Sequence, residues 1–225
     1  MAKSMKGFFH KASSALFHSR LRNEVTNQDF TIVSNNEWGE KVYRDLGMEY
    51  KSPFIGMYIY APDYIRLLEN FQYYMSQRLK FTLHSKYGWR EENYPIGLLG
   101  GDIEIHFIKY RYRQEALEKW NERVDRMNWD NLFIKMSDQY HCTEECIKRF
   151  DALPFENKVC FTAKPLGHLD SVVYFSEQKV ATDLENELGD YHKYFDLAEW
   201  LNHGKVVKKI PHENNPFWHY ERTSF

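Results

Sequence analysis

A three-layer α/β fold, with a mostly parallel sheet of about five strands and helices on both faces, is what this sequence predicts. Three observations carry the expectation. From Asp29 onward, short β-rich runs alternate with longer segments of helical periodicity, the pattern of a parallel sheet covered on both sides. Hydrophobic residues make up 43% of the 225 residues, enough for one sizeable core. No internal repeat or low-complexity linker interrupts the chain. Residues 25–225 therefore read as a single domain behind a basic segment at 1–24.

The elements follow in order. Phe30 to Val33 is a β-rich run ending at Ser34-Asn35-Asn36, and a helix from Gly39 to Leu46 is closed by Gly47. Ile55 to Tyr60 reads as a second strand. Pro62 and Asp63 open a helix to about Leu79, striped by Ile65, Leu68, Phe71 and Met75. Residues 80–101, with turn signals at Gly88, Pro95, Gly97, Gly100 and Gly101, read as a connecting excursion. Ile103 to Ile108 is a third strand, and Arg113 to Met127 a helix with Ala116, Leu117, Trp120, Val124 and Met127 on its apolar face. Leu132 to Met136 is a fourth strand, and Thr143 to Asp151 a helix. Val159 to Thr162 is a fifth strand, and a helix around Tyr194 to Leu201 follows. Residues 165–190 are the least regular stretch and read as a small lobe or lid.

Residues 1–22 carry Lys3, Lys6, Lys11, Arg20 and Arg22 and no acid. Met5, Phe8, Phe9, Ala12 and Leu16 share one helical face. Such a helix either lies on an anionic membrane surface or packs on its own domain. No run approaches the roughly 20 apolar residues of a membrane span, and the N-terminus lacks the continuous apolar stretch of a secretory signal. A net charge of −2 gives no nucleic-acid signature. Three cysteines, Cys142, Cys146 and Cys160, fit no disulfide framework and suggest a reducing, cytoplasmic setting. The aromatic share of 17% supplies either sugar- or nucleotide-stacking rings or simply core.

In open parallel sheets, ligands bind beyond the carboxyl ends of the strands. The expected exits there are Ser34, Asn35 and Asn36, then Lys109, Tyr110 and Arg111, then Ser137 and Asp138, and last Thr162 and Lys164. Ser34-Asn35-Asn36, followed by Trp38 at a helix start, would either cradle a phosphate or carboxylate or simply cap a turn. It lacks the glycines of a dinucleotide fingerprint. On the third strand, alternation sends Asp102, Glu104 and His106 to one face, roughly 6.6 Å apart in succession. Two carboxylates and an imidazole would serve as a Mg²⁺ or Mn²⁺ set, with Asp102 and Glu104 as metal ligands. They would equally serve as an acid/base set, or be a solvated outer face. Arg111 and Arg123 would clamp a phosphorylated donor. No Gly-x-Ser-x-Gly elbow is present.

Several segments together resemble a known family. They are Asp29 to Asn36 with Trp38-Gly39, Tyr50-Lys51-Ser52-Pro53, Tyr94-Pro95-Ile96-Gly97, Asp102 to Phe107, Asn128-Trp129-Asp130-Asn131, Cys142-Thr143-Glu144-Glu145 and Trp200-Leu201-Asn202. In order and spacing they are similar to the bacterial domain-of-unknown-function 1919 family, from about Asp29 to Asn202. The resemblance implies an association with exopolysaccharide and capsule assembly, and no specific reaction. In the family a His usually precedes the Tyr matching Tyr110, and here that position is Lys109. A chemistry resting on that histidine would be absent or changed in this chain.

The resulting expectation is a transferase, with glycosyl transfer ahead of acyl transfer. Its donor would be nucleotide- or CoA-activated and its acceptor a lipid-linked glycan at the inner membrane face. Ser34, Asn35 and Asn36 would hold the donor phosphate, His106 or Glu104 would be the base, and Arg111 and Arg123 would offset leaving-group charge. Trp38, Tyr110, Ser137, Asp138 and Lys164 would complete the crevice. The alternative is a non-catalytic module binding a glycan or a partner protein.

Overall fold

The computed structural model describes residues 16–88, 93–178, 184 and 187–209. Numbered in chain order, the strands are β1 (Thr31–Ser34), β2 (Lys80–Thr82), β3 (Ile96–Leu99), β4 (Ile103–His106), β5 (Leu132–Ser137), β6 (Lys158–Thr162) and β7 (Val172–Tyr174). The helices are α1 (16–24), α2 (Trp38–Leu46), α3 (Ala61–Glu69), α4 (Phe71–Met75), α5 (Arg113–Val124), α6 (Glu144–Asp151), α7 (Glu187–Tyr194) and α8 (Leu197–His203).

The principal sheet is parallel, in the order β1-β5-β6-β7. Thr31 lies opposite Leu132, Ile134 opposite Lys158 and Cys160 opposite Val172. Alternation along the strands builds two cores. Ile32, Phe133, Val159, Phe161 and Val173 pack beneath Leu21 of α1, Trp38 of α2, Tyr191 of α7 and Trp200 of α8. Val33, Ile134, Met136, Cys160 and Val172 pack on the other face, against residues of α3, α4, α5 and α6. Burial on both faces explains why these strands read as nearly continuous apolar runs. Each such side chain contributes about 1.5–3 kcal/mol.

The parallel sheet has four strands rather than about five, and two expected members lie elsewhere. In the segment 55–60 only Tyr58 pairs, through an antiparallel bridge to His106. Gly56 at φ 67° turns the backbone out of a continuous extended run. The Ile103 strand is β4, in a separate antiparallel sheet β2-β3-β4. Gly100 and Gly101 take φ of 64° and 94° and turn β3 directly back into β4, with Leu99 opposite Ile103. The excursion at 80–101 thus supplies two strands of its own.

Helix ends follow local chemistry. Gly47 closes α2 in the left-handed conformation, and Thr143 caps α6 by accepting from the Cys146 N–H. The long helix expected after Pro62 is two, broken at Asn70. Residues 1–15 lie outside the described residues. Leu21 is buried on the domain and Phe17 packs beside it, while Arg22 Nε donates to the Asp45 carbonyl at 2.8 Å. Residues 165–178 carry β7, and α7 begins at Glu187. The described parts of 165–190 are therefore built into the sheet edge and the helical layer. Among the described residues no helix is long and apolar enough to cross a membrane.

Candidate functional site

The carboxyl edge of the parallel sheet carries a buried polar cluster. Lys135, on β5, has no exposed surface. Its ammonium donates to Asn36 Oδ1 at 3.1 Å, to Ser137 Oγ and to the Glu187 carboxylate. It also lies 5.5 Å from the Trp38 ring and 5.2 Å from that of Phe161. Burial pulls its pKa below the ordinary lysine value, with Glu187 opposing. Asn36 Nδ2 donates to Ser137 Oγ at 3.0 Å and to Gln139 Oε1 at 3.1 Å. Ser34 Oγ donates to Asn36 Oδ1 at 3.1 Å. Asn35 bridges to the Ser137 backbone, accepting from its N–H at 2.8 Å. Asp138 accepts from Thr162 Oγ1 at 2.6 Å, the Ala163 N–H at 2.9 Å, Lys164 Nζ at 3.3 Å and the Leu184 N–H at 2.9 Å.

Ser34, Asn35, Asn36, Ser137 and Asp138 are thus brought together, but buried and engaged with one another. The start of α2 offers little to an anion. Asn36 Oδ1 already accepts from the Trp38 N–H at 3.2 Å. Glu37 and Glu40 stand there, both bound to Lys109, at 2.6 and 2.9 Å. Trp38 itself is core, edge-on to Phe161 and Tyr191.

A second centre forms where β4 meets this edge. The Tyr58 and His106 backbones exchange hydrogen bonds at 3.0 and 2.9 Å, and the Ile59 N–H reaches the Asn35 carbonyl at 2.9 Å. The antiparallel sheet is thereby stitched to β1. Glu104 and His106 do share one face, as alternation requires, with Oε2 and Nε2 3.4 Å apart. Glu104 is held by Ser85 Oγ and the Lys86 N–H, each at 2.7 Å. His106 Nδ1 lies 3.4 Å from Tyr94 Oη, which lies 3.1 Å from Tyr58 Oη. His106 is 1% exposed, covered by a ring stack. Tyr58 lies parallel to it at 4.6 Å and Tyr140 parallel to Tyr58 at 4.3 Å. Tyr60 stacks on Tyr87 at 3.9 Å, with His141 beside them. Burial, then the charges of Glu37 and Glu187, push the Tyr140 phenol up to about 12, so it stays protonated and able to donate.

Tyr140 and His141, just past β5, both have left-handed backbones, at φ 56° and 62°. Two such non-glycine residues in succession carry backbone strain, of the kind that clusters at functional sites. The Tyr140 carbonyl is anchored by the Ala61 N–H at 2.9 Å.

Asp102 does not join Glu104 and His106. Its carboxylate accepts from Arg66 Nη1 and Tyr74 Oη, each at 3.1 Å. Among the described residues no three His, Cys, Asp or Glu side chains gather as a metal set. Asp63, read only as a helix opener, takes the nearer place. It is fully buried and accepts from the Glu104 N–H, Lys86 Nζ and Tyr87 Oη, each at 2.8 Å. A cleft of about 590 Å³ opens here, lined by Asp63, Arg66, Lys86, Asp102 and Glu104. A second, of about 330 Å³, is lined by Leu83, Asn93, Tyr94, Pro95, Arg111 and Arg113.

Tyr110 and Arg123 engage each other, Arg123 Nη1 donating to Tyr110 Oη and stacking over Tyr50 at 5.2 Å. Tyr110 also donates to the Ile55 carbonyl at 3.2 Å. Sequence reasoning missed Lys135, although a lone lysine inside the run Leu132-Phe133-Ile134-Lys135-Met136 is itself a signal. It also missed Tyr58, Tyr94, Tyr140 and Glu187, which only tertiary contacts place here.

Two comparisons bear on this chain. A family model described as Domain of unknown function (DUF1919) matches residues 8–202. A Haemophilus influenzae protein described as an uncharacterized protein is 36% identical over 212 residues, spanning 89% of this chain and 98% of the relative.

Proposed function

The chain belongs to the family described as Domain of unknown function (DUF1919), and from that premise we propose that it is a transferase of exopolysaccharide or capsule assembly. It moves a sugar from a phosphate-bearing donor to a hydroxyl of a lipid-linked glycan, with acyl transfer as the second chemistry. The observation that carries the reading is the Glu104–His106 pair facing Tyr94. A histidine with a carboxylate on one ring nitrogen and a hydroxyl on the other is poised for general base work. In this reading the acceptor hydroxyl passes its proton by way of Tyr94 to His106. Glu104 fixes the ring and offsets the charge it gains. The tyrosines around the site supply stacking edges and hydroxyls suited to a glycan.

The test has two stages. Thermal shift with UDP-, GDP-, CDP- and CMP-sugars and acetyl-CoA, each with and without Mn²⁺ or Mg²⁺, identifies the donor. A ligand at about 100 times its Kd adds roughly 2.7 kcal/mol. His106→Ala and Glu104→Gln are then assayed for glycan product. We expect His106→Ala to lose about 10²–10⁴ in rate while its circular dichroism stays that of the wild type. Full product from both variants would remove the base assignment.

Two observations favour a non-catalytic glycan- or partner-binding module instead. His106 is 1% exposed behind Tyr58, and Lys109 is held by Glu37 and Glu40. Silence across the donor panel would support that module. For either reading, Lys3, Lys6 and Lys11 are proposed to draw the N-terminus to anionic lipid. Phe17 and Leu21 pack on the domain, so cosedimentation with anionic vesicles is better tested by charge reversal at those lysines than by truncation.

A further inference from the structure

We propose that the cleft between β2, β3 and the start of α5 is the donor's anion site, and that Arg111 and Arg113 there grip a diphosphate. This rests on the transferase reading and relocates its donor, which the sequence placed at Ser34, Asn35 and Asn36. That place is closed, since those side chains are buried and bonded to one another. Its helix start carries Glu37 and Glu40, which repel a phosphate.

The cleft of about 330 Å³ has the opposite character. Among the described residues no carboxylate lies within ion-pair distance of Arg111 or Arg113, whereas Arg66, Arg126 and Arg149 each pair with one. Arg113 is steadied by its Nη2 donating to the Thr82 carbonyl at 3.3 Å. Tyr112 between the two is extended, at φ −122° and ψ 142°. Arg111 lies at a bend, its guanidinium 5.5 Å from the Tyr112 ring, and Arg113 opens α5, so both arginines come to line one cleft. Two planar cations lining one cleft suit the two phosphoryl groups of a diphosphate, each able to take a bidentate hydrogen-bonded pair. Asn93 adds an amide at the rim, and Leu83, Tyr94 and Pro95 give an apolar wall for a nucleoside. Tyr94 is also the wall shared with His106, 3.4 Å from its Nδ1. A diphosphate in this cleft would set the donor's reacting carbon beside the base.

The experiment is calorimetric titration of the full chain with pyrophosphate, UDP and inorganic phosphate at low salt, without divalent cations. We expect saturable pyrophosphate and UDP binding that competes, weakens as salt is raised, and exceeds phosphate binding. Arg111→Ala and Arg113→Ala should each weaken it about tenfold, and the double variant by about a hundredfold. Both side chains are exposed, so folding should be untouched, and a thermal melt checks this. His106→Ala should bind as the wild type does. Absence of pyrophosphate binding at millimolar concentration, binding unchanged in the double variant, or phosphate bound as tightly as pyrophosphate would each overturn the proposal. The two ideas fail separately. A His106→Ala protein with full turnover and arginine-dependent pyrophosphate binding sinks the base and leaves the anion site. A double arginine variant with normal turnover does the reverse.

Discussion

Lys135 is a buried charge inside an otherwise apolar strand. Among the described residues this ammonium, without exposed surface, is held by Glu187, Asn36 and Ser137 and by two ring faces, with the charge of Asp138 adding to Glu187. Breaking such a pair from one side strands the other charge in the interior, typically a loss of about 3–5 kcal/mol. Lys135→Met should therefore shift the urea midpoint strongly, whereas Lys135→Met with Glu187→Leu should recover much of the loss. Equal losses in the single and double variants would show that Glu187 is not the partner that matters. The lysine is legible as the one charge in an apolar strand. Its partner lies 52 residues on, and no local pattern links them. Tyr140 and His141 are illegible for another reason. Neither is a glycine or asparagine, the residues that ordinarily mark a left-handed turn in a sequence, so nothing local flags the two consecutive positive φ values.

At the scale of elements, capping was readable and pairing was not. Gly47 and Thr143 mark helix ends by chemistry that acts within a few residues, whereas the helix expected from Tyr194 to Leu201 runs through Asp196, which in fact separates α7 from α8. Asp196 caps α8, accepting from the Glu199 N–H at 3.2 Å. Burial alone would raise its carboxyl. Lys209 and the Glu199 and Ala198 N–H groups together hold it below the ordinary value of 3.8. A carboxyl depressed on folding contributes stability that is present above its unfolded pKa and is lost as pH falls through the folded one. Asp196→Ala should thus cost about 1 kcal/mol at neutral pH, and the difference from wild type should shrink as pH is lowered below the ordinary carboxyl value. Denaturation midpoints at pH 7 and pH 3 check this. A cost independent of pH would remove the carboxylate's role. The hairpin β3-β4 was less visible. Its strands are four residues each, and Gly97 reads as a turn signal. It is in fact a strand residue, where a Cβ would come within 2.7 Å of the Phe107 ring. Glu104 and His106 were still placed on one face, because alternation holds in either kind of sheet. Their exit was misplaced, because strand direction is a tertiary property.

At the scale of the whole molecule, the α/β class followed from the alternation of runs, which β1, β5 and β6 obey and β7, inside the stretch read as a lobe or lid, does not. What was hidden is that everything from Phe54 to Met127 is an insertion between adjacent strands, carrying its own sheet and most of the candidate site. The N-terminal boundary drawn at residue 24 also cuts through packing. Leu21 and Val25 are buried in the core beneath the parallel sheet, and Asn202 of α8 accepts from the Thr26 N–H at 2.9 Å. A chain beginning at residue 27 should lose those two side chains and about 3–6 kcal/mol, measurable as a lower urea midpoint. An unchanged midpoint would mean that α1 is a passenger.

The pairing of Thr31 with Leu132 has a consequence in time. As the chain leaves the ribosome, β1 emerges ahead of the other strands, and β5, its partner in the sheet, about a hundred residues later. At about 5–20 residues per second that is roughly 5–20 seconds in which an apolar strand waits with both edges open. The insertion, whose hairpin closes locally, can form during that wait. The insertion would then precede the scaffold that holds it, and nascent-chain chaperones would find their natural substrate in the segment around Ile32 and Val33.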